Sequence, residues 1–162
     1  MSNRPKSTGQ KRRASRLAAV QALYEVDLAG HPASVVIDTY AKNGYLATLD
    51  EGGQSQAEAD LFMDIVKGVA MRRADLDAML QSCLQEKRTV ARMEPILRAI
   101  LRCGSYELSA RGDIDSALTI SEYVALAHAF FDGPEPKIVN GVLDRLARTL
   151  RPDEYEATAD AG

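Results

Sequence analysis

The residues of this chain best suited to chemistry are cations close to its start. Six of the first sixteen residues are basic and none is acidic: Arg4, Lys6, Lys11, Arg12, Arg13 and Arg16. The whole chain has 20 Lys and Arg against 23 Asp and Glu, so removing these six from the net charge of −3 leaves −9 on the remainder. A concentrated basic segment on an acidic protein is typical of polyanion binding, above all to nucleic-acid phosphates. The alternative is a charged terminus that is merely solvated.

The spacing of these cations favours single-stranded RNA. Arg12 and Arg16 are one helical turn apart and share a face, while Arg13 projects about a third of a turn away. A guanidinium group can bind phosphate through two parallel hydrogen bonds and can stack on an unpaired base. The free N–H groups of a helix N-terminus also favour an anion. One helix end with a basic tail suits a single strand, and no helix-turn-helix pair for duplex DNA is evident.

Side chains with the spacing of a catalytic or metal site are not found. His31 and His128 are far apart in sequence and have no second ligand at metal spacing. Cys83 and Cys103 lie inside helical patterns and are interpreted as core thiols of a protein in a reducing cytoplasm. The sequence also contains none of the glycine-rich motifs that bind nucleotide phosphates or position a serine nucleophile. We therefore predict a protein without catalysis, cofactor or metal.

Hydrophobic periodicity predicts an all-α protein of about six to seven helices. Apolar residues recur at helical spacing over residues 11–30, 35–46, 61–84, 95–111, 119–131 and 139–150, with a further short helix at 87–93. In the first helix the predicted buried stripe consists of Leu17, Val20, Gln21, Tyr24 and Leu28. An aromatic content of 6% and abundant Ala and Leu also favour helices over sheets.

The chain divides by composition into an arm, a domain and a tail. We predict a flexible basic arm at residues 1–10, a helical domain at 11–151 and a disordered acidic tail at 152–162. No apolar segment is long enough to span a membrane, and no signal-type apolar region follows the cations. These features predict a cytoplasmic protein that does not bind membranes.

Asn140 and Gly141 lie in the middle of the last predicted helix. A glycine there costs about 1 kcal/mol relative to alanine, which favours a position where another helix approaches closely. The amide of Asn140 could tie the helix to neighbouring backbone. We interpret both residues as structural.

Four groups of residues, in the same order along the chain, resemble the transcription antitermination factor NusB family. They are Arg12-Arg13-Ala14 with residues 19–24, Ile96-Leu97-Arg98 with Tyr106-Glu107-Leu108, residues 120–127, and residues 139–144. Each group is short, but their common order makes the resemblance specific. It extends over residues 11–150, almost the whole predicted domain.

The resemblance implies a fold of two small helical subdomains that binds boxA-type single-stranded RNA. The family does so together with NusE, a small-subunit ribosomal protein, in a complex that joins RNA polymerase and promotes ribosomal RNA transcription. Carried over by position, the RNA contacts fall on Arg12, Arg13 and Arg16, with Lys137 as a helper, and we add the neighbouring Lys11 of the basic segment. Tyr24 matches a tyrosine at the surface that faces NusE, and Glu94 is the second predicted partner contact.

The chain departs from the family pattern at several of these places. Ile138 replaces an aromatic residue that could stack on a base, and the preceding loop 132–136 contains two prolines and two acids. Met93 replaces a family acid, and Glu94 follows one position late. Two other functions stay open: a helical scaffold or phosphotransfer bundle, and a NusB-like accessory domain of the kind that precedes ribosomal RNA methyltransferases.

Overall fold

The computed structural model describes residues 8–43 and 55–159, which form eight α-helices and one 3-10 helix and contain no β-strand. The α-helices are α1 (Thr8–Ala29), α2 (Ala33–Lys42), α3 (Ser55–Met71), α4 (Arg73–Cys83), α5 (Pro95–Ala110), α6 (Ser116–Phe130), α7 (Glu135–Leu150) and α8 (Pro152–Ala159). The 3-10 helix, Val90–Arg92, lies between α4 and α5. The prediction of an all-α protein is confirmed.

The chain folds as two compact units, which agrees with the two subdomains that the resemblance implied. Unit 1 is Met1–Met71 and unit 2 is Arg72–Gly162. The division falls inside the single helix predicted at 61–84, and that prediction is wrong at Arg72, where φ is −107° and ψ is 18°. No glycine or proline marks this break, so the hydrophobic period alone could not reveal it.

Unit 1 is built on small residues of α1. This helix packs against α3, and α2 packs against both. The buried residues of α1 include Ala18, Ala19 and Ala22, whereas Gln21 and Leu28 of the predicted stripe are exposed. The predicted stripe is therefore wrong in part, because alanines permit a closer helix approach than the larger side chains beside them.

Unit 2 is organised around α5, which packs against α4, α6 and α7. Its residues from Ala99 to Leu108 are all buried, including two charged side chains. Arg102 donates two hydrogen bonds to the carboxylate of Asp77, over 2.8 and 2.9 Å, and Glu107 accepts one from the hydroxyl of Tyr123. These bonds meet the requirement that a buried charge be paired.

A glycine of α5, not of α7, lies at the closest helix crossing. A Cβ atom added to Gly104 would lie 2.7 Å from Cδ1 of Leu143, a side chain of α7 that is fully buried. A Cβ atom added to Gly141 would meet nothing within 4 Å. The close-crossing interpretation of Gly141 is therefore wrong, and Asn140 beside it is exposed.

Arg151, the residue that follows α7, forms hydrogen bonds to the C-terminal end of α5 and to the loop after it. Its guanidinium group donates hydrogen bonds to the carbonyl oxygens of Leu108, Arg111 and Ile114, the shortest bonds being 2.9, 2.8 and 2.6 Å. Carbonyls in the last turn of a helix have no partner within the helix itself. One side chain after α7 thus satisfies carbonyls at the C-terminal end of α5.

Helix α8 occupies most of the segment predicted to be disordered, so that part of the prediction is corrected. The helix begins with a proline and carries Asp153 and Glu154 in its first turn, where acids interact well with the helix dipole. Arg148 of α7 places its guanidinium carbon 4.4 Å from the centre of the Tyr155 ring. These local interactions explain helix formation in an acidic segment.

Helix α1 likewise begins at Thr8, inside the predicted flexible arm. Other parts of the predictions lie outside the described residues. They are the cations Arg4 and Lys6, the end of the second predicted helix at 44–46, and the last residues of the tail, 160–162.

Candidate nucleic-acid interface

The predicted RNA-binding residues of α1 separate into an exposed pair and a buried pair. Arg12 and Arg13 are exposed, whereas Lys11 and Arg16 are only 7% and 3% exposed. The first turn of the helix contains no acid. Arg12 and Arg13 are therefore the solvent-accessible cations of this group. Arg12 and Arg16, one helical turn apart on α1, therefore differ in exposure.

The buried members of this group are built into the helix. The hydroxyl of Ser15, itself fully buried, donates a 3.1 Å hydrogen bond to the carbonyl oxygen of Lys11. Arg16 has interactions of its own within the structure. A long side chain buried along its length contributes packing as well as charge. Lys11 and Arg16 thus contribute to the packing of the part of α1 that carries Arg12 and Arg13.

Tyr24 lies further along α1 and is half-buried. Leu28 follows it by one helical turn and is 54% exposed, and Glu25 between them is exposed. A half-buried tyrosine next to an exposed leucine and a carboxylate forms a small mixed surface suited to a protein partner. The position predicted for NusE contact is accordingly accessible.

Lys137 belongs to unit 2, on the first turn of α7, and is exposed. It lines a cleft of about 190 Å³ between the C-terminal end of α4 and the first half of α7. Ile138, Gly141 and Leu84 also line this cleft. Because Gly141 has no side chain and no neighbour there, its backbone is open to whatever enters.

Two cations of this cleft were missed by the sequence analysis, Arg88 and Arg145. Arg145 donates a 2.7 Å hydrogen bond to the carbonyl oxygen of Cys83, which fixes its guanidinium group at the cleft. A signal was available, because Lys137, Gly141 and Arg145 are spaced by four residues and therefore lie on one face of α7. No comparable signal pointed to Arg88, which lies in a loop.

Glu94, the second predicted partner contact, has a structural role. Its carboxylate accepts a 2.9 Å hydrogen bond from the backbone N–H of Leu97 and so caps α5, while Pro95 begins the helix. Carboxylates are favoured at this position because they satisfy a free N–H group near the positive end of the helix dipole. The residue is exposed, so capping and partner contact are compatible.

The two cysteines are buried free thiols, as predicted. Burial, reinforced by the nearby Glu107 carboxylate, raises the pKa of Cys103 well above its usual range. Its thiol therefore stays protonated and unreactive at neutral pH.

Two further findings concern the described residues, 8–43 and 55–159. No group of three or more His, Cys, Asp or Glu side chains there could hold a metal ion. None of the helices there is long and apolar enough to cross a membrane.

Comparison with known proteins identifies the family. The sequence profile of the NusB family matches residues 13–148, most of the chain. The chain belongs to the NusB family. Its two exposed arginines therefore lie at the start of a NusB helix α1, and its cleft lies beside α7 of the same fold. By family the chain is a transcription antitermination factor.

Individual relatives of the NusB family agree with this assignment. The transcription antitermination protein NusB of Rhizobium rhizogenes is 43% identical over 148 residues, which cover 91% of this chain and 92% of that protein. NusB of Maricaulis maris is 42% identical over 144 residues, covering 89% and 90%. The solved structure of T. maritima NusB superimposes with a TM-score of 0.72 at 26% identity and covers 90% of this chain and 96% of that one.

Proposed function

We propose that this protein is an RNA-binding adaptor of transcription antitermination that acts without catalysis of its own. It binds boxA-type single-stranded RNA together with NusE and, within the antitermination complex of RNA polymerase, promotes ribosomal RNA transcription. The observation that carries the proposal is the exposed Arg12-Arg13 pair on the second turn of α1, directly after a first turn that contains no acid. The match to the NusB family supports RNA as the ligand of that pair.

In this proposal the site residues have different roles. Arg12 and Arg13 bind phosphates directly, and Lys137 adds a cation beside the cleft on unit 2. Lys11 and Arg16 are both buried, so we assign them to the packing of the first turns of α1 and not to direct contact with RNA. The protein acts in the cytoplasm, where transcription and its RNA product are found.

Partner contacts are proposed separately on each unit, at Tyr24 of unit 1 and at Glu94 of unit 2. Tyr24 is a half-buried tyrosine one helical turn before the exposed Leu28, and Glu94 offers a carboxylate at the start of α5. A basic ribosomal protein complements the acidity that remains once the N-terminal cations are set aside. We propose NusE as this partner, because the NusB family acts together with that ribosomal protein.

The test is RNA binding by fluorescence anisotropy, with boxA-type RNA and with the same bases in permuted order. We expect Arg12→Ala combined with Arg13→Ala to weaken binding and to reduce the slope of log K against log salt by about 1.4, at about 0.7 per phosphate contact. The matched control is Lys42→Ala combined with Lys67→Ala, which removes two exposed cations from α2 and α3 of the same unit.

The proposal is overturned if the arginine variant binds RNA like the control variant while both melt like the wild type. The Arg16→Ala variant tests whether Arg16 stabilises α1 or contacts the RNA directly. We expect it to lower the melting temperature, because Arg16 is buried, whereas the Arg12 and Arg13 substitutions leave melting unchanged.

A further inference from the structure

The loop between α4 and α5, residues 84–94, carries a second group of exposed cations, Lys87, Arg88 and Arg92. None of the three forms an ion pair with any residue that the structure describes. The side chains are therefore available to a ligand. We call this segment the cationic loop.

Side chains from the flanking helices hold the backbone of the cationic loop in place. Gln81 of α4 donates to the carbonyl oxygen of Arg88 over 2.9 Å and accepts from the N–H of Val90 over 3.1 Å. Arg98 of α5 donates to the carbonyl oxygens of Val90, Ala91 and Met93 over 3.3, 3.0 and 3.3 Å. The loop cations thus project from a backbone fixed at two points. Such preorganisation lowers the entropy cost of binding.

Arg88 lies between two clefts of unit 2. One is the cleft of about 190 Å³ that Lys137 and Arg145 also line. The other has a volume of about 260 Å³ and is lined by the remaining two loop cations, together with Met93 and Leu97. Both clefts therefore combine an apolar wall with cations, and Arg88 is common to the two.

This alternation of cations and apolar walls fits one class of ligand. Single-stranded RNA offers a phosphate for each nucleotide and an unstacked base that can enter a concave apolar site. A duplex keeps its bases stacked and could not place them in either cleft. Glu94 also lines the second cleft, where its carboxylate accepts the hydrogen bond from the N–H of Leu97. The three cations of the loop outnumber this one acid in the lining of the cleft.

We propose that the cationic loop and the first half of α7 form a second RNA-binding segment, in which Arg88 contacts the backbone of a single strand between the two clefts. The segment takes phosphates on Lys87, Arg88, Arg92 and Lys137 and bases against the apolar walls. This inference rests on the proposed function and extends it to a loop that the sequence analysis did not select.

The experiment combines Arg88→Ala with Arg92→Ala in the full chain and uses the anisotropy assay described above, with and without NusE. We expect the slope of log K against log salt concentration to become shallower by about 1.4. The ratio of wild-type to variant affinity should therefore fall about sevenfold when the salt concentration is raised fourfold. The loss should be equal for boxA-type and permuted RNA, because phosphate contacts carry no sequence information. The control is the Lys42→Ala and Lys67→Ala variant.

The outcomes distinguish the two proposals. If the Arg12 and Arg13 variant loses RNA affinity and the loop variant behaves like the control, the second segment is refuted while the proposed function stands. If the wild-type protein binds neither RNA with or without NusE, both are refuted. Circular dichroism melting checks that the loop variant is folded, and we expect no change because both side chains are exposed and without ion pairs among the described residues.

Discussion

At the scale of single residues, local environment decides the role of chemically identical side chains. Arg12 and Arg16 are four positions apart on α1, yet the first is exposed and the second is 3% exposed. Gly104 and Gly141 are both mid-helix glycines, yet only the first has a close neighbour. The sequence could identify these residues as unusual but could not assign their roles, because burial depends on helices distant in the chain.

The two glycines give a direct test of this contrast. We expect Gly104→Val to lower the free energy of unfolding by about 1–3 kcal/mol, because its Cβ would overlap Leu143 in a packed core. Gly141→Ala should instead raise it by up to about 1 kcal/mol, because alanine favours the helix and meets no neighbour. Chemical denaturation measures both. Equal destabilisation by the two substitutions would contradict the assignment of the close crossing to Gly104.

At the scale of helices, the spacing of hydrophobic residues along the sequence predicted most of the helices. The predicted helical segments 61–84 and 139–150 supply apolar residues that are buried in α3, α4 and α7, among them Leu61, Ile65, Leu80, Val139 and Leu143. Period could not predict where one helix becomes two, because the break at Arg72 depends on contacts distant in sequence. One of these is the 2.9 Å hydrogen bond from Arg72 to the hydroxyl of Ser109 on α5.

The same reasoning applies to the candidate site. Arg12 and Arg13 were found because they form a local run of charge, and Lys137 because its surroundings resemble a known family. Arg145 could have been found from its spacing of four residues with Gly141 and Lys137, whereas Arg88 lies in a loop and has no periodic partner. That the two line one cleft depends on contacts between α4 and α7, which are distant in sequence.

Arg151 allows a prediction about how the helices of unit 2 are joined. We expect Arg151→Ala to lower the free energy of unfolding by about 2–3 kcal/mol, because carbonyls at the end of α5 would lose charged donors. The control is Arg148→Ala, which should cost about 1 kcal/mol or less, since its ion pair with Asp144 is largely exposed. Thermal melting of the two variants provides the comparison. Similar melting temperatures would show that the Arg151 bonds contribute little.

At the scale of the whole molecule, charge limits what the chain can bind alone. The first sixteen residues carry six positive charges, and the remainder carries −9 when these are removed from the net charge of −3. Acidic surface repels RNA, so the unaided contact is confined to the cationic segments. Only 6% of the residues are aromatic, which also limits base stacking.

A basic partner should therefore tighten RNA binding. We expect NusE to raise the affinity for boxA-type RNA by 5- to 150-fold, the range of a coupling free energy of about 1–3 kcal/mol. Thermodynamic linkage requires RNA to raise the affinity for NusE by the same factor. Titrating each ligand in the presence and absence of the other measures both factors. An RNA affinity that does not change across the NusE titration would exclude the adaptor mechanism.

The division at Arg72 and the position of Arg151 also have a consequence during translation. Ribosomes release the N-terminal end first, and compact units fold as they emerge. Unit 1 ends at Met71, so it can reach its native contacts before the C-terminal part of unit 2 is synthesised. The end of α5 must wait for Arg151, 43 residues after Leu108. Nascent chains should accordingly present a folded α1, with its arginines, before unit 2 is complete.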